Sequence, residues 1–389
     1  MIPSYWAGAA ADVHAPGAYD HSTSLNTSAP ELARCLDSLE QVRDLPRVII
    51  LAVCPLSATG DVARFIDAIA ARHPKLDILT VTNVEAARIA ERVAALAPHV
   101  SGEAVSLRGY GAIRNMGLAV ASILGHDAVV FLDDDEVVLG ADFMSRALYA
   151  LNQETRQRLP IIAKSGYFYD AAGSPLADTT KAGICHRWWT KRIEFNRWMR
   201  KALSGTRISR SNYACGGLMA LSARAFMRVA FDPYITRGED LDYLLNLRLV
   251  GLDMWFDNQW SVRHLPPELP DRSGRFMQDV YRWYYERAKL GYAARRQDLN
   301  PVTPASLMPY PGPWISSQLD ERVRKTALVR TLLTHEHAGY LEVLRHGRAD
   351  ARRYARDNAH RYLQLQSFWP TIMDGLWNDI ELKGMLEGR

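Results

Sequence analysis

Apolar residues follow two patterns along the first third of the chain. Continuous runs at Arg47 to Cys54 (RVIILAVC), Leu76 to Thr82 and Ala128 to Leu132 (AVVFL) predict buried strands of a parallel sheet. Between them the spacing turns helical. Glu31 to Val42, opened by Pro30, sets Leu32, Cys35, Leu36 and Leu39 on one face. Further helices fit Asp61 to Arg72, Ala86 to Leu96 and Gly111 to Leu124. Ile2 to Trp6 is the stub of a first strand, and the Gly-, Pro- and Ser-rich stretch that follows, as far as Pro30, predicts a long loop. Strand and helix alternating in this way predict an α/β fold with a largely parallel sheet flanked by helices.

The middle of the chain is less regular. Ile161 to Tyr169 and Gly217 to Leu221 predict strands, as do the short segments Met254 to Phe256 and Ser261 to His264. Asp240 to Leu252 carries Leu241, Leu244, Leu245, Leu249 and Leu252 at helical spacing. Beyond about Asp271 the pattern is helical to the end, broken by the Pro-rich stretch from Pro301 to Pro313. The aromatic run Tyr281, Trp283, Tyr284 and Tyr285 predicts a packed helical cover.

Composition narrows the class. A chain of 389 residues suits one large domain with an appendage. A net charge of +4, from 47 basic and 43 acidic residues, gives no case for nucleic acid as a partner. Cys35, Cys54, Cys185 and Cys215 form no CxxC pair, which fits buried thiols in a reducing compartment. No apolar run approaches the roughly 20 residues of a membrane span, and a cytoplasmic location is expected.

The strongest chemical signal is Asp133-Asp134-Asp135-Glu136, directly after the apolar run Ala128 to Leu132. A parallel strand delivers its C-terminal end to the crevice where α/β folds bind ligands. Carboxylates crowded there repel and desolvate each other, a conflict that Mg²⁺ or Mn²⁺ removes while also holding a diphosphate. The bland alternative is a solvated acidic turn. Glu239 and Asp240 open a predicted helix, where first-turn acids are favoured by about 0.3–1 kcal/mol through the dipole. The sharper reading makes Asp240 a general base for a hydroxyl and Glu239 its acceptor-binding neighbour. His264, after a short strand, is either a packed histidine or a ligand sharing a cation with Asp133 and Asp135. Residues 186–201 interleave Trp188, Trp189 and Trp198 with Lys and Arg. They read first as an acceptor-side lobe that is mobile without ligand, second as a membrane-surface contact, and otherwise as a packed helix with snorkelling cations.

Five pieces in this order resemble GT-A glycosyltransferases of the family-2 type. They are Arg114-Asn115-Met116-Gly117, the acidic VVFLDDDEVV, Cys215-Gly216-Gly217-Leu218-Met219-Ala220, Arg237-Gly238-Glu239-Asp240 and Val262-Arg263-His264. The resemblance implies a GT-A-type, Rossmann-like catalytic domain over 1–270, with a nucleotide-sugar half to about 140 and an acceptor half beyond it. Residues 271–389 become a helical C-terminal extension. It further implies donor contacts from Arg114, Asn115, Asp133, Asp134, Asp135, Gly216 and Gly217, and a Mn²⁺ or Mg²⁺ ion on Asp133, Asp135 and His264. Asp240 and Glu239 take the catalytic roles, and Trp188, Trp189 and Arg237 the acceptor side. The implied reaction moves a hexosyl group from a nucleotide-sugar to a saccharide or other hydroxyl acceptor, with inversion. The chain departs from the family at its second strand, which ends Ala52-Val53-Cys54-Pro55 where many members carry an acidic turn for the base.

Two other functions fit parts of the pattern. A nucleotidyltransferase would want a basic Gly-rich loop after the first strand, yet no Lys or Arg precedes Arg34. A non-catalytic sugar-binding protein on a degenerate fold would have no need of Asp133, Asp135, Asp240 and His264 together.

Overall fold

The computed structural model describes residues 1–6, 22–28, 30–180, 183–266 and 272–388. Most of the long loop predicted after Trp6 lies outside these residues, as do Pro267 and the boundary placed at 270.

The strands are β1 Ile2–Tyr5, β2 Val48–Val53, β3 Ile78–Val81, β4 Ala128–Leu132, β5 Glu136–Val138, β6 Ala163–Tyr169, β7 Ile208–Arg210, β8 Leu218–Ser222 and β9 Trp255–His264. In the first half the helices are α1 Glu31–Leu39, α2 Thr59–Ala70, α3 Asn83–Leu96, α4 Tyr110–Ile123 and α5 Phe143–Leu148. The middle adds α6 Lys191–Leu203, α7 Ala223–Phe226 and α8 Glu239–Leu249. The C-terminal region is built from α9 Arg272–Ala293, α10 Leu319–Leu333, α11 His337–Glu342, α12 Arg348–Leu376 and α13 Ile380–Glu387.

The sheet is parallel in its first half and mixed in its second. β1, β2 and β3 pair in parallel with β2 central. The Met1 ammonium donates to Val130 O (2.9 Å) and Leu132 N donates to Met1 O (3.1 Å), a parallel-type bridge that brings β4 beside β1. The order continues β4-β8-β6-β9-β5, with β8 antiparallel to β4 and β6, and β6 parallel to β9. The two short strands predicted around 254 and 261 are one strand, β9. A register shift between Ser165 and Tyr167 on β6 accommodates the polar residues Asp257 to Gln259, which interrupt the apolar pattern.

Gly117 explains how α4 lies so close to the sheet. A Cβ there would sit 3.1 Å from Met1 Cγ and 3.2 Å from Phe131 Cε1, so even alanine would need both side chains to give by a few tenths of an ångström. The C-terminal helices share the core of the α/β part. Trp369 Nε1 donates to Phe226 O (2.8 Å), Tyr362 OH to Ala230 O (3.2 Å) and Ser122 Oγ to Met373 O (2.9 Å). Leu118, Phe231, Trp283 and Trp369 belong to one buried apolar cluster.

Behind α8 lies an ionic knot. Lys289 on α9 is fully buried and donates to Asp232 (3.1 Å), Asn246 (2.9 Å) and Asp242, the last two on α8. Tyr285 OH also donates to Asp232. Burial lowers Lys289 to about 8, against the pull of Asp232.

Candidate active site

The acidic run leaves β4 in a tight turn closed by Glu136 N donating to Asp133 O (3.2 Å), and returns as β5. β5 runs antiparallel to the end of β9, with Glu136 opposite His264, and Leu265 N donates to Asp135 O (3.0 Å). This pairing carries His264 to Asp135, with Nε2 and Oδ2 3.1 Å apart. The imidazole also packs edge-on to Phe168, ring centroids 4.9 Å apart. Burial works against its charge, but the hydrogen bond to Asp135 and the carboxylates of Asp135 and Asp133 outweigh it and raise its pKa.

The four acids part company in the turn. The Asp133 side chain stays one-third exposed (33%) and accepts from Arg114 Nη2 at 2.7 Å. Asp134 turns inward, accepts from Ser4 Oγ at 2.7 Å, and is pushed well up by burial and by Asp135. Expected as a donor contact, it forms in this structure a buried link between the turn and β1. Glu136 is buried and also pushed well up, by desolvation first and by Asp133 and Asp135 next. Burial and the neighbouring carboxylates thus raise both groups in the same direction.

Gly217 is what admits Glu136. A Cβ at Gly217 would lie 2.5 Å from all three carboxyl atoms of Glu136. Gly217→Ala should therefore lower stability by about 1–3 kcal/mol, the usual cost of overpacking. Thermal unfolding beside Gly291→Ala, where an added Cβ meets nothing within 4 Å, isolates the effect. The neighbouring Gly216 N–H donates to Asp240 Oδ2 (3.2 Å), so the two glycines lie between the acidic turn and the start of α8.

Gly238, at φ 71°, precedes α8 and leaves Asp240 in its first turn, where Leu241 N donates to Asp240 Oδ1 (2.6 Å). Asp240 thus sits inside the helix start rather than capping it. Glu239 is buried (7%), and its Oε1 accepts from Arg114 Nε at 3.3 Å. Burial pushes Glu239 up and Arg114 pulls it back, leaving a net rise. The carboxylate of Glu239, expected on the acceptor side, is engaged by Arg114 in this structure. That guanidinium is 3% exposed, stands over the Phe131 ring, and joins Asp133 to Glu239. Asn115, the next residue, faces elsewhere. It is fully buried, donates to Ala104 O and Phe231 O, and accepts from Phe231 N. In this structure the side chain expected to contact the donor acts as a backbone clamp. Lys164 is likewise buried on Arg146 O, Tyr149 O and Asp257.

The predicted acceptor lobe divides. Trp189 packs on Phe276 and Trp314, and Trp198 on Tyr213 and Phe256. Both are buried, and these contacts are the plain-packing alternative for Trp189, expected as an acceptor contact, and for Trp198, expected in a mobile border. Trp188 stays half-buried. Arg237 belongs to a charge cluster with Lys191, Asp279 and Arg282. Burial pushes Asp279 up, but these three cations outweigh it and bring it down to about 2. Arg282, missed in the sequence, donates to Gly238 O (3.2 Å) and so holds the start of α8 from behind.

Residues 23–286 match the family described as Glycosyltransferase like family 2. The chain belongs to that family. The match takes in Arg114, the acidic turn, Gly216, Gly217, Glu239, Asp240 and His264, and ends within α9 of this glycosyltransferase. Among solved structures it is similar to the mannosyltransferase PcManGT from Pyrobaculum calidifontis in complex with GDP-Man and Mn²⁺, at 14% identity and TM-score 0.44, over 99% of this chain and 84% of that one. It is also similar to GalNAc-T7 with UDP, GalNAc and Mn²⁺, at 12% identity and TM-score 0.39, over 78% and 55% of the two chains. A third similar structure is a mycobacterial protein, at 14% identity and TM-score 0.37, over 66% and 71%. No curated protein matches the glycosyltransferase.

Proposed function

We propose that this glycosyltransferase moves a hexosyl group from a nucleotide-sugar to a hydroxyl acceptor with inversion, assisted by Mn²⁺ or Mg²⁺. The observation that carries the reading is the meeting of Asp135 and His264 at 3.1 Å on the turn that also exposes Asp133. Two donors about 3 Å apart span the edge of an octahedron with bonds of about 2.1 Å. Among the described residues no group of three or more His, Cys, Asp or Glu is disposed to hold a metal. Asp135 and His264 fit an ion that takes its remaining ligands from a diphosphate and water, and Asp133, held by Arg114 on the same turn, would join them on leaving that ion pair. The cation would neutralise charge on the departing diphosphate.

The protein's own groups supply the rest. Arg114 ties Asp133 to Glu239 and so fixes the acidic turn relative to α8. Gly216 N–H orients the Asp240 carboxylate, which is free of any ion pair with Arg114 and takes the acceptor proton as the new bond forms. Free cysteines, three of them buried, support the cytoplasmic reading, and no helix among the described residues is long and apolar enough to cross a membrane. The division near residue 270 into catalytic domain and helical extension is part of the same proposal.

The test is a screen of UDP-, GDP- and ADP-sugars with Mn²⁺ or Mg²⁺, reading nucleoside diphosphate release. In calorimetry, Mn²⁺ should bind weakly alone and much more tightly with the matching nucleoside diphosphate. His264→Ala should weaken that metal-dependent binding by about 10–100-fold, the range seen for weakened metal sites. Equal Mn²⁺ affinity in His264→Ala would return the histidine to a packing role.

A further inference from the structure

The cation- and Trp-rich segment is only partly absorbed by the core, and what remains outside joins a second feature. Trp188 stays at the surface, with the Arg187 guanidinium 5.4 Å and the Lys325 ammonium 5.7 Å from its ring centroid. The short turn Ile184–His186 rests on α10, where Arg330 donates to Cys185 O (3.2 Å). α10 buries Leu319, Val323 and Ala327, yet leaves Leu328 47%, Leu332 72% and Leu333 58% exposed. Ile184 is 59% exposed. Lys325, Leu328 and Leu332 follow one another at i+3 and i+4, so they share a stripe of the helix.

A single exposed leucine needs no explanation. Four aliphatic side chains and a tryptophan on an adjoining turn and helix do, because monomer surfaces rarely gather large apolar residues. The composition separates the candidate occupants. Lysine is depleted in protein–protein interface cores, whereas Trp, Lys and Arg bordering apolar side chains suit the boundary of a bilayer, with hydrocarbon below and headgroup phosphates beside the cations. Arg187 and Arg324 are exposed beside it, and Lys325, paired with Glu321 at 2.5 Å, adds a third cation. No described helix is long and apolar enough to cross a membrane, so the contact is with its surface.

We infer that the face formed by Ile184, Trp188, Leu328, Leu332 and Leu333 docks on an anionic lipid surface. This does not depend on the proposed glycosyl transfer and is tested by binding alone. Full-length protein is sedimented with vesicles of phosphatidylcholine, or of phosphatidylcholine with one-third phosphatidylglycerol. Binding is expected to the anionic vesicles and to weaken as salt is raised. Leu332→Asp/Leu333→Asp should lower partitioning at least about tenfold, since two apolar side chains lose their burial. Its thermal unfolding should match that of the parent, because both side chains are exposed. Absence of binding to anionic vesicles, or unchanged binding of the double variant, overturns the inference. So does a dimer, seen by light scattering, that the double variant abolishes while vesicle binding persists.

Discussion

Asp240→Asn should cut turnover by about 10²–10⁴, the usual worth of a positioned general base. That equals roughly 3–5 kcal/mol of transition-state stabilisation. The structural cost is smaller. Asp240 accepts from Gly216 N and Leu241 N, and asparagine can satisfy only one of these with its single oxygen. One lost hydrogen bond costs about 0.5–1.5 kcal/mol, and the lost first-turn charge about 0.3–1 kcal/mol. The variant should therefore fold, bind donor and metal near-normally, and fail in the chemical step. Initial rates beside calorimetric donor titration separate these terms. Near-normal turnover with intact folding would leave Asp240 as a first-turn acid only. Glu239→Gln should behave differently, because it removes one of the carboxylates that hold Arg114. Its effect should appear in donor affinity and stability, through Asp133, rather than in the proton transfer.

The sequence made the strand–helix alternation legible because buried parallel strands are uniformly apolar, and β4 was found at its exact residues for that reason. The acidic turn was legible for the opposite reason, since four charges directly after such a strand need an explanation. What each acid does was not legible. Asp134 and Asp135 differ by one position, yet one turns to Ser4 and the other to His264. That alternation follows from the turn and from β5 pairing with β9, a contact between segments more than a hundred residues apart. The partners of Asn115 and Glu239 were hidden on the same account. Each sits in a motif near the cleft, but the partners that consume them, Phe231 and Arg114, come from other elements. The packing of Trp189 and Trp198 was not legible because Lys and Arg between aromatics describe a snorkelling helix as well as a cleft border. α9 did hold a readable signal. Arg282, Glu286 and Lys289 recur at helical spacing among aromatics, on the side that should be apolar, and such charges are buried only with partners.

Lys289→Met should destabilise the protein by about 3–5 kcal/mol, the cost of removing one partner from a buried ionic group. Methionine fills similar volume, so the loss is not mainly a cavity. It comes from Asp232 and Asp242, both fully buried, which keep their carboxylates and lose the ammonium between them. Tyr285 OH and Asn246 Nδ2 still donate to them, but neither carries a charge. The triple variant Lys289→Met, Asp232→Asn, Asp242→Asn should recover most of the loss, because neutral amides replace the stranded carboxylates. Denaturant midpoints measure both steps, and a Lys289→Met midpoint equal to the parent's would remove the knot from any structural role. The effect should also reach the chemistry. Asp242 lies two residues beyond Asp240 on α8, while Arg282, one α9 turn before Glu286, holds Gly238 O at the start of the same helix. α9 thus grips the base-bearing helix at two points from behind. Lys289→Met should lower kcat even at temperatures where it stays folded, by letting the first turn of α8 shift against Gly216, whereas donor affinity, set on the β4 side, should change little.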